Sequence, residues 1–265
     1  LELHANGSVT ISDNGRGIPV DPHPKYKDKS ALEVILTTLH SGGKFSSDAY
    51  ATSGGLHGVG ISVVNALSSD MSVEVARDKQ LYKQSFSRGK AVGALESLGP
   101  VHNRRGTKVT FLPDTEIFGD KLALRPSRLY KMARSKAYLF RGVEIRFSAD
   151  PSLIASDDPT PSEATLHFPG GLSDYIRESL KNRSTVTPEP FDGTALFPDS
   201  QGRVKWAIHW PEFGDGFSST YCNTIPTPQG GTHDAGLRSA LLKGIKAYGE
   251  LAGQKKAGQL TAEDV

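Results

Sequence analysis

The sequence predicts an α+β protein of two domains, and three observations lead to that prediction. Several short segments alternate apolar and polar residues, as the strands of a half-exposed sheet do. Other segments repeat apolar residues every three or four positions, which is typical of helices on a sheet. A stretch at residues 150–163 contains three prolines and no periodicity, as linkers do. We therefore predict one domain over residues 1–155 and a second over residues 156–265.

In the first domain, Asn6-Gly7 is the dipeptide favoured in a type I′ turn, so residues 1–12 are expected to form a two-stranded hairpin. Ser30 to Glu33 is a capping box that begins a helix, and Gly42-Gly43 ends it. The apolar face of that helix is expected to consist of Leu32, Ile35, Leu36 and Leu39. The later predicted elements are a hairpin at Met71–Phe86, a strand at Lys108–Leu112, a basic helix at Pro126–Leu139 and a strand at Val143–Phe147.

The second domain is expected to alternate helices and strands in the same way. The predicted elements, in order, are a helix at Leu172–Leu180, strands at Val204–Trp210 and Ser218–Ile225, and a long helix at Ala235–Leu251. The turn Pro226–His233 precedes that long helix. No internal repeat or low-complexity segment interrupts the chain.

Composition limits the possible functions. The 265 residues carry a formal net charge of only +2, so a nucleic-acid role must depend on a local basic patch. The single cysteine, Cys222, excludes an internal disulfide and a site with several cysteine ligands, and it fits a reducing compartment. No apolar run approaches the length of a membrane span. These features predict a cytoplasmic protein.

A glycine-rich stretch, Thr52–Gly60, leads directly into an apolar segment that ends at Leu67. The positions of Val59, Val63, Val64 and Leu67 predict a helix with these residues on one face. A glycine loop before a helix N-terminus can hold phosphate through unpaired N–H groups. The pattern is equally typical of a flexible surface loop, and no Gly-Lys-Ser/Thr sequence makes it a Walker A loop.

A second motif, Asp13–Val20, places a carboxylate after a strand and follows it with glycines, Ile18 and Pro19. A carboxylate beside an apolar wall can accept the exocyclic amine of adenine while the wall contacts the ring. The alternative is an ordinary turn. The polar segment between the first helix and the glycine stretch is suited to a lid, and Lys44 could meet phosphate oxygens or be a solvated surface charge.

Taken together, three motifs resemble the ATPase domain shared by gyrase, Hsp90, histidine kinases and MutL, the GHKL or Bergerat fold. They are Asp13–Pro19, His40–Phe45 and Ser53–Leu67. Within that fold they resemble the B subunits of bacterial type II topoisomerases. Tyr221–Thr227 and Gly230–Arg238 are similar to the ribosomal-S5-like transducer domain of those subunits. The Ile225-Pro226-Thr227 form and Lys136–Leu139 resemble the topoisomerase IV B subunit more than gyrase B.

The resemblance implies an ATP site, with Asp13 as the acid that binds adenine and Thr107 beside it. The implied ATP-binding residues are Asp13, Gly15, Gly17, Ile18, Pro19, Lys44, Tyr50, Gly54, Gly55, Leu56, His57, Gly58, Val59, Gly60 and Thr107. Arg16 is expected at the pocket rim. Lys83 lies in the strand where gyrase-type proteins commonly have an arginine at the pocket mouth.

The family also uses Mg²⁺, a glutamate that activates water and an asparagine that holds the metal. Those two residues are expected upstream of Leu1, and a lysine that reaches the γ-phosphate is expected beyond Val265. We therefore expect both domains to be truncated, with no catalytic residue and no metal ligand in this chain. His57 and His233 are expected to be structural, because no further ligand stands at metal spacing.

The implied function is an ATP-operated gate for DNA. ATP binding would dimerise two B subunits and trap a DNA segment, which passes through a break made by a partner A subunit in an A2B2 assembly, giving relaxation and decatenation. A gyrase B subunit that supports negative supercoiling and a module that binds nucleotide without hydrolysis are the alternatives. A kinase or chaperone of the same fold should lack the transducer motif. Candidate DNA-facing residues are Arg203, Lys205, Arg238, Lys243, Lys246, Lys255 and Lys256.

Overall fold

The computed structural model describes residues 1–41, 58–119, 122, 124–198, 202–262 and 264. The chain forms two compact units, Leu1–Phe213 and Gly214–Val265. Among the described residues, no helix is both long enough and apolar enough to cross a membrane.

The described part of the first unit is built on a nine-stranded sheet in the order β5-β4-β3-β7-β2-β1-β8-β9, with β6 also paired to β4. The strands are β1 Glu2–Leu3, β2 Val9–Ser12, β3 Ser68–Arg77, β4 Gln80–Ser87, β5 Lys90–Ala91, β6 Glu96–Pro100, β7 Gly106–Pro113, β8 Glu144–Ala149 and β9 Glu163–His167. β1 and β8 are parallel, and the other described pairs in this sheet are antiparallel.

Five helices and a separate hairpin complete the described part of this unit. The helices are α1 Ala31–Thr37, α2 Gly60–Ala66, α3 Thr115–Phe118, α4 Pro126–Leu139 and α5 Leu172–Ser179, and a 3₁₀ turn spans Pro151–Leu153. The hairpin pairs β10 Phe191–Leu196 with β11 Arg203–Ile208.

The main core lies between the sheet and helices α1 and α2. Met71, Val73 and Val75 alternate along β3, so their side chains share one face of the sheet, and all three are fully buried. Leu32 and Leu36 of α1 pack into the same cluster. The capping box predicted for α1 is present in part, because the Ser30 side chain accepts a hydrogen bond from the Glu33 N–H at 3.1 Å.

The second unit is smaller. It contains the short hairpin β12 Tyr221–Cys222 and β13 Ile225–Pro226, the helix α6 Thr232–Leu251 and a 3₁₀ turn at Lys255–Gln259. Asn223 and Thr224 have φ of 47° and 71°, so the hairpin turns through two left-handed residues.

The strands in residues 1–12, the β3–β4 hairpin, α4 and α5 confirm the sequence predictions. Three predictions are wrong in detail. Asn6 does not have a positive φ, so the β1–β2 turn is not type I′. Helix α1 ends at Thr37 because Thr38 is extended, and Leu39 is 58% exposed rather than part of the core. The single strand predicted at Ser218–Ile225 is divided by the β12–β13 turn.

The apolar face predicted for α2 is right for Val64 but wrong for Val63. Ile61 and Val64 pack on the core, while Val63 is 39% exposed. The fully buried Asn65 gives the reason, because its Nδ2 donates to the carbonyl of Leu36 at 2.9 Å and fixes the rotation of the helix against α1.

The boundary predicted at residue 155 stays a prediction. The two compact units meet at Phe213 and Gly214 instead. Strands β8 and β9 pair across residue 155, and Tyr138 of α4 stacks on Tyr175 of α5 with ring centroids 4.1 Å apart. Residues on both sides of the predicted boundary therefore pack within one unit.

Candidate functional site

Asp13 follows the last residue of β2, and the sheet fixes its position. Its N–H donates to the carbonyl of Thr107 on β7 at 2.9 Å, which continues the strand pairing by one residue. Its Oδ1 accepts the N–H of Gly15 at 2.8 Å and the N–H of Thr107 at 3.3 Å. Among the described residues, no group donates to Oδ2. The carboxylate is thus held by one oxygen and exposes the other, as a ligand acceptor requires.

Gly106 permits the close approach of β7 to Asp13. Its φ is +108°, and a Cβ at this position would collide with the carbonyl oxygen of Asp13. A side chain here would push the two strands apart and break the bonds that orient the carboxylate.

Gly17 and Ile18, which the sequence predicts as the wall beside the carboxylate, are held against the sheet. The N–H of Ile18 donates to Oγ1 of Thr107 at 3.2 Å, and Ile18 packs against the main core. Gly17 has a φ of +77°, and a Cβ there would lie 3.0 Å from Cγ1 of Val75. The buried Thr107 therefore contacts both the acid and the wall, as the resemblance implied. Pro19 is exposed.

Two arginines that no sequence pattern indicated hold the same loop from outside. Nη1 of Arg77 donates to the carbonyl of Gly17 at 3.1 Å, and Nε of Arg105 donates to the carbonyl of Asn14 at 2.9 Å. Lys83, the residue named from the sequence at this position, pairs in register with Glu74 on β3 and Glu96 on β6. Arg77, at the end of β3, and Arg105 are therefore the arginines that bond to the loop.

The glycine stretch is described only at its end. Gly58 has a φ of +63°, Val59 is the N-cap of α2 without a side-chain hydrogen bond, and a Cβ on Gly60 would meet nothing within 4 Å. Among the described residues, none is therefore seen to cover the start of α2. The other residues predicted in this stretch and the lid lie outside the described residues: Lys44, Tyr50, Gly54, Gly55, Leu56 and His57.

Comparison with known proteins gives two family matches that follow each other along the chain. A histidine kinase-, DNA gyrase B- and HSP90-like ATPase model matches residues 1–117, and a DNA gyrase B model matches residues 171–265. The chain is 56% identical over its whole length to the DNA topoisomerase 4 B subunit of Bartonella bacilliformis and 55% identical to that of Caulobacter vibrioides. The chain belongs to the family of type II DNA topoisomerase B subunits.

Solved structures of this family share the fold. The 43K ATPase domain of Thermus thermophilus gyrase B, in complex with an aminocoumarin, superposes with a TM-score of 0.74 at 32% identity, covering 96% of this chain and 62% of that chain. The topoisomerase IV ATP-binding domain of Francisella tularensis, in complex with a small-molecule inhibitor, gives a TM-score of 0.68 at 34% identity, covering 94% and 62%. These matches confirm the GHKL fold, and they imply ATP binding. The chain spans 38% of the length of the two curated relatives.

A metal site is not complete in the part of this chain that the structure describes. No group of three or more His, Cys, Asp or Glu side chains there could hold a metal ion. The described residues therefore do not by themselves fit Mg²⁺, and we assign no step to the metal.

The predicted DNA-facing residues are divided between the two units. Arg203 and Lys205 lie on β11. Burial is the main cause that lowers the pKa of Lys205, and the positive charges of Arg203 and Arg141 lower it further. Arg238, Lys243 and Lys246 lie on α6, where Arg238 pairs with Asp234 at 3.2 Å.

Hydrogen bonds of hydroxyl groups connect the parts of the segment that resembles the transducer domain, from Thr220 to His233. Oγ1 of Thr220 and Oγ1 of Thr227 are 2.7 Å apart, and Nε2 of His233 is 3.1 Å from Oγ1 of Thr227. These bonds link the β12–β13 hairpin to the start of α6, which agrees with a structural role for His233.

Proposed function

We propose that this chain binds ATP through its adenine at Asp13 and forms the ATP-operated part of a topoisomerase IV-like enzyme's B subunit. The observation that supports the adenine site best is the Asp13 carboxylate, which is held through Oδ1 and leaves Oδ2 without a donor among the described residues. The exocyclic amine of adenine is a donor that would complete it. A charge-assisted hydrogen bond of this kind is stronger than a neutral one.

The other site residues have distinct proposed roles. Gly17, Ile18 and Pro19 contact the adenine ring, and Thr107 reaches it through its hydroxyl group or a bridging water. The start of α2 after Gly58 faces the phosphates, since helix N-terminal N–H groups favour anions. Lys44, Tyr50 and residues 54–57 complete the phosphate end, and Mg²⁺ arrives with the nucleotide phosphates.

The names of the relatives support a proposal for the whole protein. ATP binding dimerises two B subunits, which gates DNA passage through a break made by a partner A subunit in an A2B2 assembly. The activity is relaxation and decatenation in the cytoplasm. The basis for topoisomerase IV over gyrase is the 56% and 55% identity to proteins named as the B subunit of DNA topoisomerase 4. Decatenation without negative supercoiling by the complete enzyme would support this choice, and ATP-dependent supercoiling would favour gyrase.

The division into an ATPase domain at 1–155 and a transducer domain at 156–265 belongs to the same proposal. The two family models leave residues 118–170 unmatched between them, and residue 155 lies in that interval.

The residues proposed to contact DNA phosphates are Arg203, Lys205, Arg238, Lys243 and Lys246. Such contacts make DNA affinity fall with rising salt.

The experiment that tests the adenine site is a calorimetric titration with a non-hydrolysable ATP analogue. Asp13→Asn keeps Oδ1 as an acceptor for Gly15 and Thr107 but places an amide donor against the adenine amine. We expect the analogue to bind about 10- to 100-fold more weakly to this variant. Asp157→Asn, which removes an exposed carboxylate elsewhere, should bind as the unmodified chain does. Equal affinity for all three proteins would reject the adenine site.

A further inference from the structure

A second concave surface lies beside the loop that holds Asp13 and is built from different residues. It is an open depression of about 870 Å³, lined by the β3–β4 turn, the segment 101–105 and Asn14. A volume of this order lies within the range of small-ligand sites. Its lining includes Lys79, His102, Arg104 and Arg105. None of the residues proposed above to contact ATP lines this surface.

The charges around the depression do not cancel. The lining contains one carboxylate, that of Asp78, which pairs with Arg77 at 3.3 Å. Nη2 of Arg104 pairs with Glu74 at 2.6 Å. Within the described residues, Lys79 makes no ion pair and Arg105 pairs with no carboxylate. Two positive charges therefore remain over the cavity.

The guanidinium of Arg105 is fixed in an orientation that suits anion binding. Its Nε donates a hydrogen bond to the neutral carbonyl of Asn14 at 2.9 Å. The two terminal nitrogens of the guanidinium therefore stay available to an anion. A guanidinium fixed in this way binds a phosphate through two parallel hydrogen bonds at little further entropic cost.

Lys79 occupies a position where a glycine would be easier to accommodate. Asp78 and Lys79 have φ of 52° and 61°, so both central residues of the β3–β4 turn are left-handed, and such turns favour glycine at the second position. A lysine there therefore costs conformational free energy and contributes a charge to the depression.

We propose that this depression binds a small phosphate anion with at least two negative charges, held by Lys79 and Arg105. The lining residues differ from those proposed to contact ATP, although Arg105 also bonds to the carbonyl of Asn14, the neighbour of Asp13. Neither residue belongs to the proposed adenine or phosphate contacts of ATP. Failure of the ATP proposal would therefore leave this one standing.

The test is a calorimetric titration of the chain with inorganic pyrophosphate, with and without a saturating non-hydrolysable ATP analogue. We expect one saturable site that the analogue leaves in place. Lys79→Gly and Arg105→Gln should each weaken pyrophosphate binding roughly tenfold. Lys79→Gly also relieves the left-handed turn, so loss of binding in this variant cannot be caused by unfolding.

Two controls separate this site from others. Lys181→Gln removes an exposed lysine beyond α5, and Asp13→Asn alters the adenine site, so both should bind pyrophosphate as the unmodified chain does. The proposal is overturned if pyrophosphate does not bind, if the analogue abolishes its binding, or if Lys79→Gly and Arg105→Gln bind normally. A short DNA duplex that binds through Lys79 and Arg105 while pyrophosphate does not would overturn it as well.

Discussion

Asp13 and Thr107 exchange two hydrogen bonds although they are 94 positions apart in the chain. The N–H of Asp13 donates to the carbonyl of Thr107 at 2.9 Å, and the N–H of Thr107 donates to Oδ1 of Asp13 at 3.3 Å. The pairing of β2 with β7 therefore helps to set the orientation of the carboxylate, together with the Gly15 N–H of the loop that follows β2. A ligand acceptor built in this way is rigid before the ligand arrives, which lowers the entropic cost of binding.

Replacing Thr107 tests whether its hydroxyl group supports the site. Thr107→Val keeps the volume but removes the acceptor of the Ile18 N–H, so the wall of the pocket loosens. We expect a non-hydrolysable ATP analogue to bind about 3- to 10-fold more weakly. Thr107→Ser keeps the hydroxyl group and should restore most of the affinity. If the valine and serine variants bind equally, the hydroxyl group does not contribute to binding.

Gly106 should tolerate no side chain. Gly106→Ala combines a strained φ with a collision against the carbonyl of Asp13, and we expect it to lower the free energy of unfolding by about 4 kcal/mol or more. Gly99→Ala is the matched control, because Gly99 has a φ of +96° but nothing within 4 Å of its Cβ. That variant should cost only about 1–3 kcal/mol. Urea unfolding of the two variants measures the difference, and equal losses would show that the strand contact is unimportant.

The parts of the fold that the sequence predicted are those with strong local patterns. Helices α4 and α5 and the β3–β4 hairpin show continuous periodicity, so their bounds could be read from the chain. Asp13 and Gly17 were found because their motif is contiguous. Helix α2 was placed correctly, but its apolar face was predicted only in part. A two-turn helix has few apolar residues, and Asn65 determines its rotation through Leu36.

The rest could not be predicted because it depends on distant pairing. Arg77 and Gly17 are 60 positions apart, and no local pattern connects them. The same holds for Arg105 and Asn14, which are 91 positions apart. Such contacts arise only when the order of strands in the sheet is known. The sequence therefore predicted the acid that we propose for the site but not the arginines that hold its loop.

The buried carboxylate of Asp114 should contribute to stability through two kinds of bond. Its Oδ1 caps α3 by accepting the N–H of Glu116 at 3.0 Å, and its Oδ2 lies 2.7 Å from Nε of Arg88. Asp114→Ala removes both, and we expect a loss of about 2–3 kcal/mol in urea unfolding, less than for a fully buried pair because Arg88 is half-exposed. Asp114→Asn keeps the cap and should lose less.

Glu116 provides the control for this pair. Its carboxylate lies 2.6 Å from Nη2 of Arg88 but is largely exposed. Glu116→Gln should change the free energy of unfolding by no more than about 0.5 kcal/mol, since exposed ion pairs contribute little. A loss as large as that of Asp114→Ala would show that burial of Asp114 is not the source of its effect.

Glu74 should make the stability of the first unit depend on pH. The hydrogen bond from Arg104 is the largest cause that lowers the pKa of Glu74 below its ordinary value of 4.5, and the charges of Arg104, Lys108 and Lys83 act in the same direction. Because the folded-state pKa is depressed, this contribution is fully present above the unfolded-state value and is lost as pH falls through the folded-state value. Stability from Glu74 should therefore be constant near pH 7 and decline below about pH 4.5.

The measurement is urea unfolding between pH 7 and pH 3 for the unmodified chain and for Glu74→Gln. The difference in free energy of unfolding between the two proteins should be largest at pH 7 and should shrink steadily below about pH 4.5. Glu163→Gln, an exposed carboxylate on β9, serves as the control and should show no such trend. A difference for Glu74→Gln that stays constant down to pH 3 would mean that Arg104 stabilises the strand end through packing, because a charge-dependent contribution must vanish once the carboxylate is protonated.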